Sequence, residues 1–133
     1  NILCIKLDGM FCVPPKSMIH LTDCPNITNM KLHYYNKLRD IDLQHLIKLK
    51  HLQKIDFGFA PLLTNCCAKY LLQCSNLIKL KFKQCVAIDD LIAVQLSKHK
   101  KLLKIKFIDC PSISRKIISM LLFNITVVIV KDY

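Results

Sequence analysis

The sequence has no tryptophan and no glutamate, and only two of its 133 residues are glycine. So few glycines exclude a glycine-rich loop that wraps phosphate groups. No run of about 18 uninterrupted apolar residues occurs, which argues against a membrane span. An apolar content of 53% argues against a disordered chain. Because the chain begins with Asn1 rather than methionine, we expect a fragment or a processed product.

Groups that catalyse reactions or bind metals are also scarce. The close carboxylate pairs are Asp40/Asp42 and Asp89/Asp90, and both stand at predicted helix starts, where aspartate is favoured as a cap. The five histidines and eight cysteines show neither a metal-ligand spacing nor a C-x-x-C motif. The sequence therefore predicts no enzymatic activity, no metal site and no cofactor.

What the chain does contain is a regular internal repeat. One apolar pattern recurs with unchanged spacing in three successive units, which begin at Leu52, Leu77 and Leu102. The motif reads L-x-x-L-x-L-x-x-C, and Cys85 and Cys110 fill its last position in the second and third units. Within each unit the apolar spacing changes from two, as in a strand, to the spacing of a helix. A period in the twenties with this motif is typical of a leucine-rich repeat.

The repeat predicts an α/β fold, a leucine-rich repeat solenoid (horseshoe) with a parallel sheet on its concave side. Helices are expected on the convex side of residues 30–123. We predict a single domain over residues 1–133. It divides into irregular short repeats at 1–29, regular repeats of the full period at 30–124 and a terminal strand at 125–133.

Both ends depart from the period. The intervals from Ile5 to Ile19 and from Ile19 to Met30 each cover roughly half of one period, and neither has room for a full helix between two strands. Residues 1–29 are therefore interpreted as two short strand-like sets joined by loops. At the other end, Val128 and Val130 are predicted to take the buried strand positions, on an interval slightly shorter than the period.

The cysteines follow the repeat. Cys24, Cys85 and Cys110 are assigned to one repeat position and Cys74 to a second, as buried small side chains whose S–H groups serve backbone carbonyls. A disulfide between Cys85 and Cys110 is also compatible with the spacing of neighbouring strands. Reduced structural thiols are our preferred interpretation. They predict an intracellular, reducing compartment, the cytoplasm or nucleus, with the mitochondrion as the alternative.

Side chains between the buried strand positions are predicted to line the concave face. Those assigned to partner binding are Lys31, His33, Lys54, Asp56, Lys79, Lys81, Lys83, Lys104 and Lys106. With 20 basic and 9 acidic residues the chain has a net charge of +11. One interpretation is an electropositive trough that attracts an acidic protein surface, an anionic headgroup or nucleic acid. The other is that strand positions facing solvent carry lysine for solubility and to deter edge pairing.

Nucleic acid is the weaker of these possibilities. The sequence has two arginines, Arg39 and Arg115, and no aromatic row on the concave positions to stack bases. A protein partner with an acidic surface is therefore the interpretation that we carry forward.

The segment from Cys74 to Asp90 reads C-x-x-L-x-x-L-x-L-x-x-C-x-x-I-x-D, and a second copy runs from Leu102 to Ser114. It resembles the cysteine-containing leucine-rich repeats of F-box proteins. The resemblance implies the substrate-binding repeats of a Skp–cullin–F-box (SCF) ubiquitin ligase receptor, a non-catalytic protein–protein recognition module. In that family an upstream F-box segment, which residues 1–29 do not resemble, binds the Skp adaptor and cullin.

A second resemblance is to the mitochondrial ATP synthase coupling factor B and the related complex I assembly protein. Both contain short arrays of the same repeat with a strand-only end. Their basic, mitochondrial character would suit the net charge of +11. This resemblance implies a coupling or assembly factor as the alternative function.

Overall fold

The computed structural model describes residues 3–8, 15–117 and 125–131. These residues form an α/β fold in which six parallel strands lie side by side in chain order. The strands are β1 (Leu3–Asp8), β2 (Ile27–His33), β3 (Lys54–Gly58), β4 (Lys79–Lys83), β5 (Lys104–Ile108) and β6 (Thr126–Val130). Because each strand pairs with the next one in the chain, the order is consistent with a repeat solenoid.

The segments that return from one strand to the next are short helices, several of them 3₁₀. The 3₁₀ segments are Pro15–Asp23, Asp40–Lys48 and Asn65–Cys67, and the α-helices are α1 (Ala68–Leu71) and α2 (Asp90–Leu96). The prediction of helices on this side is confirmed in part, since α1 and α2 are short and much of the remainder is 3₁₀ helix. A 3₁₀ helix rises about 2.0 Å per residue, so the segment Asp40–Lys48 matches the length of a strand of about 17 Å. The predicted helical positions 118–123 lie outside the described residues.

The strands are aligned so that residues one period apart lie opposite each other. Phe57 pairs with Phe82, and Phe82 pairs with Phe107. The three rings are fully buried and stack with centroid distances of 5.3 and 5.6 Å. Each buried repeat position thus continues a column of like side chains through the core.

The N-terminal segment differs from the prediction. Ile5 pairs with Met30, so the interval is one full period and not two short repeats. The residues between them include the 3₁₀ helix Pro15–Asp23, whose first turn tolerates proline. Cys24 follows this helix and is exposed, so its assignment to the buried cysteine position is wrong. The spacing of Ile19 and Leu21 resembles strand alternation, yet both belong to the helix.

The C-terminal strand also differs from the prediction, by a single position. Ile105 pairs with Val127 and Phe107 with Ile129, and Val127 and Ile129 pack against the core. The prediction that Val128 and Val130 are buried is therefore wrong. A slip of a single position moves every side chain of a strand to the other face. The run of apolar residues from Val127 to Val130 contains no alternation that would reveal the slip.

A left-handed turn follows four of the strands at the same repeat position. Its residues are Tyr34, Phe59, Gln84 and Asp109, with φ between 50° and 59°. The backbone N–H of each turn residue donates to the last carbonyl of the next strand, at Gly58, Lys83, Ile108 and Val130, over 2.8–2.9 Å. These hydrogen bonds tie consecutive repeats together at the carboxyl ends of the strands.

The stacked phenylalanines generate a first prediction. Phe82→Ala should lower the free energy of unfolding by about 3–5 kcal/mol, because it opens a cavity between two rings that cannot close it. Urea denaturation measures the loss. The matched control is Val86→Ala, since Val86 is 53% exposed and should change stability by less than about 0.5 kcal/mol. Equal effects of the two substitutions would contradict the stacking as the basis of the core.

Candidate functional site

The sheet face opposite the core gathers the predicted lysines on neighbouring strands. Lys54, Lys79 and Lys104 lie opposite one another across β3, β4 and β5. Lys81 and Lys106 form a second row further along the strands. We call this surface the lysine face and define it by Lys31, Lys54, Lys79, Lys81, Lys104 and Lys106. Adjacent strands are about 4.8 Å apart, so the amino groups are attached at short, regular intervals.

The lysine face encloses a groove with a volume of about 350 Å³. All six lysines line it, together with Cys4 and Asn29. Its floor includes Met30, Ile55 and Leu80, whose side chains belong to the buried core. Seven of the twelve residues that line it are charged, whereas small-molecule pockets are lined mostly by apolar residues. The groove is therefore better suited to charged side chains of a partner than to an apolar ligand.

Asp56 is the one carboxylate among the residues that line the groove. Its Oδ1 lies 3.0 Å from His33 Nε2 and its Oδ2 lies 3.7 Å from Lys81 Nζ. Asp56 thus offsets the positive charge of Lys81, the first lysine of the second row. Within the described residues, no carboxylate comes within ion-pair distance of Lys79, Lys104 or Lys106. The groove is consequently most positive over β4 and β5.

A glycine allows the contact between His33 and Asp56. A Cβ atom at Gly58 would lie 3.0 Å from Cδ2 and 3.1 Å from Cγ of His33. The imidazole therefore rests against the bare backbone of β3, which brings Nε2 to the carboxylate of Asp56. His33 and Asp56, both predicted as partner-binding residues, are in the structure held by each other.

Lys83, the remaining predicted residue, contacts an aromatic pair that the sequence analysis missed. Tyr34 and Phe59 stack with their centroids 4.3 Å apart and their planes 9° from parallel. Lys83 Nζ lies 5.8 Å from the centroid of Phe59, within the range of a cation–π contact. The sequence signal for this pair was an aromatic residue directly before the cysteine position of the repeat. Tyr34 and Phe59 occupy this position in their units, and Gln84 occupies it in the next unit.

The repeat cysteines have the environment expected of structural thiols, with the exception of Cys24. Cys110 Sγ donates to the carbonyl of Phe82 over 3.3 Å, and Cys85 Sγ donates to that of Lys83 over 3.6 Å. Burial raises the pKa of Cys74 and of Cys85 to about 12. Cys85 and Cys110 are placed as free thiols, and the reduced state in cells stays a prediction.

Two further kinds of site were sought in the described residues. No group of three or more histidine, cysteine or aspartate side chains in 3–8, 15–117 and 125–131 is placed to hold a metal ion. None of the helices in this part of the chain has the length and apolarity that crossing a membrane requires.

Comparison with known proteins yields a likeness of fold. No protein-family model matches the sequence, and no curated protein does. A chain in the crystal structure of the Rad7 and Elc1 complex in yeast is similar, with a TM-score of 0.77 over 92% of this chain and 16% sequence identity. This chain spans 31% of the length of that one. At this level of identity the similarity shows that the two folds are alike.

The burial of the cysteines generates a second prediction. At about pH 8 an alkylating reagent should label Cys4, Cys24 and Cys66, which are exposed. Cys74 and Cys85 should react only after denaturation, because thiolate is the reactive form and burial raises their pKa to about 12. Peptide mass spectrometry of native and denatured samples measures the difference. Comparable labelling of Cys66 and Cys85 in the native protein would contradict the placement.

The same two raised pKa values contribute to the dependence of stability on pH. A pKa raised on folding means that the folded state favours the protonated thiol. This contribution to stability is complete below the ordinary thiol pKa, 9.0, and is lost as the pH rises towards about 12. Cys74→Ala/Cys85→Ala should therefore lose less stability between these pH values than the unaltered protein does. A parallel decline in the two proteins, measured by urea denaturation, would refute the linkage.

Proposed function

We propose that the chain is a leucine-rich repeat module that recognises an acidic surface of a protein partner through the lysine face. We further propose that it forms the substrate-binding repeats of an SCF-type ubiquitin ligase receptor, acts without catalysis, and works in the cytoplasm or nucleus.

The observation on which this proposal rests is the run of lysines in opposed strand positions, with Lys54, Lys79 and Lys104 in one row and Lys81 and Lys106 in the other. Lysines directly opposite each other on neighbouring strands repel, whereas opposite charges in the same places would attract, each by about 0.2–1 kcal/mol. Solubility requires charge on this face but does not require one sign. Asp56, which lies between Lys31 and Lys81 in the same row, shows that a carboxylate fits there. Carboxylates of a bound partner would relieve the repulsion among Lys79, Lys104 and Lys106.

The assignment to a ligase receptor is supported by the repeat and by the likeness of fold. Strands β2 to β5 pair at an offset of one full period, the interval at which the motif of the F-box relatives recurs. The similar structure is that of a complex of two proteins, Rad7 and Elc1. In our proposal the repeats hold the target, and recruitment of the Skp adaptor and cullin belongs to a segment upstream of them.

Charge reversal on the lysine face tests partner recognition. Lys79→Glu/Lys104→Glu/Lys106→Glu should weaken binding of partners at least about tenfold, because three attractive contacts become repulsive. Partners captured from the protein's own cells are quantified by mass spectrometry for the unaltered and altered proteins side by side. The thermal midpoint should not fall, since the pairs 54/79 and 81/106 become attractive while the pair 79/104 stays like-charged.

The matched control reverses three exposed lysines elsewhere, as Lys37→Glu/Lys48→Glu/Lys98→Glu. These side chains lie on the turns and helices, away from the groove. The control has the same net charge as the test variant, so it should retain its partners. Loss of binding in both variants would show that net charge, and not the lysine face, governs the interaction.

The composition of the captured material tests the ligase role separately. Recovery of a Skp-type adaptor and a cullin with the full-length protein is the expected result. Recovery of ATP synthase or complex I subunits in their place would overturn the ligase role in favour of a mitochondrial coupling or assembly factor.

A further inference from the structure

The aromatic pair, Tyr34 and Phe59, lies at the edge of the lysine face where the strands end. Tyr34 directly follows His33 at the end of β2, and Phe59 directly follows Gly58 at the end of β3. Tyr34 is 43% exposed, which is high for a tyrosine packed against another ring. This edge therefore places an accessible aromatic surface beside a groove that six lysines line.

The aromatic groups and Lys83 follow one another in the order of the strands. Tyr34, Phe59 and Lys83 belong to successive units, and Phe59 contacts the other two. Phe59 is thus covered by Tyr34 on the side of β2 and by Lys83 on the side of β4. Among the described residues Tyr34 is the first ring of this stack, and its exposed area can accept another planar group in an offset or edge-on arrangement.

The backbone at these two positions makes the aromatic residues unexpected. Tyr34 and Phe59 have φ of 59° and 54°, a left-handed conformation that bulky side chains rarely adopt. In the following units Gln84 and Asp109 make the same turn and the same hydrogen bond to the next strand. The turn therefore does not require a ring. A residue that costs stability and leaves its ring accessible is more readily explained by binding than by folding.

Charge along the groove determines which part of a ligand each end accepts. Near the aromatic pair, Asp56 offsets the charge of Lys81 and contacts His33. Over β4 and β5, Lys79, Lys104 and Lys106 have no acidic partner among the described residues. The first end accepts an uncharged aromatic group, and the second accepts carboxylates.

From these observations we infer that the lysine face takes an extended acidic peptide of the partner, in which an aromatic side chain precedes or follows the carboxylates and stacks on Tyr34. This inference rests on the proposed function and specifies the partner's chemistry. Asp56 and Phe59 are about three residues apart in the chain, which corresponds to about 10 Å along the strand direction. Lys106 lies at the level of Asp56 and three strands from β2, about 14 Å across the sheet. The diagonal from Tyr34 is therefore about 17 Å, and a spacer of about four extended residues joins the two parts of the ligand.

Synthetic peptides provide the test. The first probe contains one tryptophan, a short glycine/serine spacer of about four residues and a run of glutamates, and the second has alanine in place of tryptophan. Because the chain itself has no tryptophan, emission of the peptide's indole reports its environment directly. Calorimetry measures both affinities. We expect the tryptophan peptide to bind about tenfold more tightly than the alanine peptide.

The matched variants alter the ring and keep the turn. Asparagine tolerates the left-handed conformation, so Tyr34→Asn/Phe59→Asn should fold and should bind the two peptides equally, at the level of the alanine peptide. Gln84→Asn, at the same turn position without a ring, should retain the preference for the tryptophan peptide. Tyr34→Asn alone serves if the double variant fails to fold, and Tyr34→Phe should bind as the unaltered protein does.

The outcomes separate this inference from the proposed function. If both peptides bind equally, or if the preference survives the removal of both rings, the aromatic site is refuted while the lysine face stands. If neither peptide binds, the proposed function and the inference both fall. Tighter, ring-dependent binding of a short oligothymidylate of matched charge would overturn the protein partner in favour of single-stranded nucleic acid.

Discussion

The register of one full repeat period between neighbouring strands is the constraint on which both the core and the candidate site depend. It stacks Phe57, Phe82 and Phe107 on one side of the sheet. Because successive side chains of a strand point to opposite faces, the same register aligns Lys79 with Lys104 on the other side. Burial on the inner side must therefore outweigh repulsion on the outer side. A change that shifts one strand would disturb the core and the groove together.

The carboxyl ends of the strands combine a fixed backbone with variable side chains. Each left-handed turn donates one hydrogen bond to the next strand, whichever residue occupies it. Tyr34 and Phe59 form a stacked pair, whereas Gln84 makes the same turn without a ring. The side chains at these turns can thus differ from unit to unit without altering the path of the chain. A repeating backbone can in this way present different side chains in different units.

Prediction from the sequence succeeded where the period and the alternation were both clear. The apolar pattern that begins at Leu52 correctly located β3, β4 and β5 and placed their lysines on one face. Prediction failed where either the period or the alternation was missing. Ile19 and Leu21 alternate like strand residues but belong to a 3₁₀ helix. In β6 every position is apolar after Thr126, so only the pairing of Val127 with Ile105 reveals which side chains are buried.

The sequence by itself determined the repeat, the buried columns and the excess of lysine, because each of these is a property of spacing and composition along the chain. Only the tertiary structure decided that His33 rests on Gly58 beside Asp56 and that Tyr34 stacks on Phe59. Those contacts join residues of neighbouring units and depend on ring orientation and on a left-handed backbone. Neither the ring orientation nor the left-handed backbone follows from the identity of the residues, since Gln84 and Asp109 adopt the same backbone conformation with different side chains.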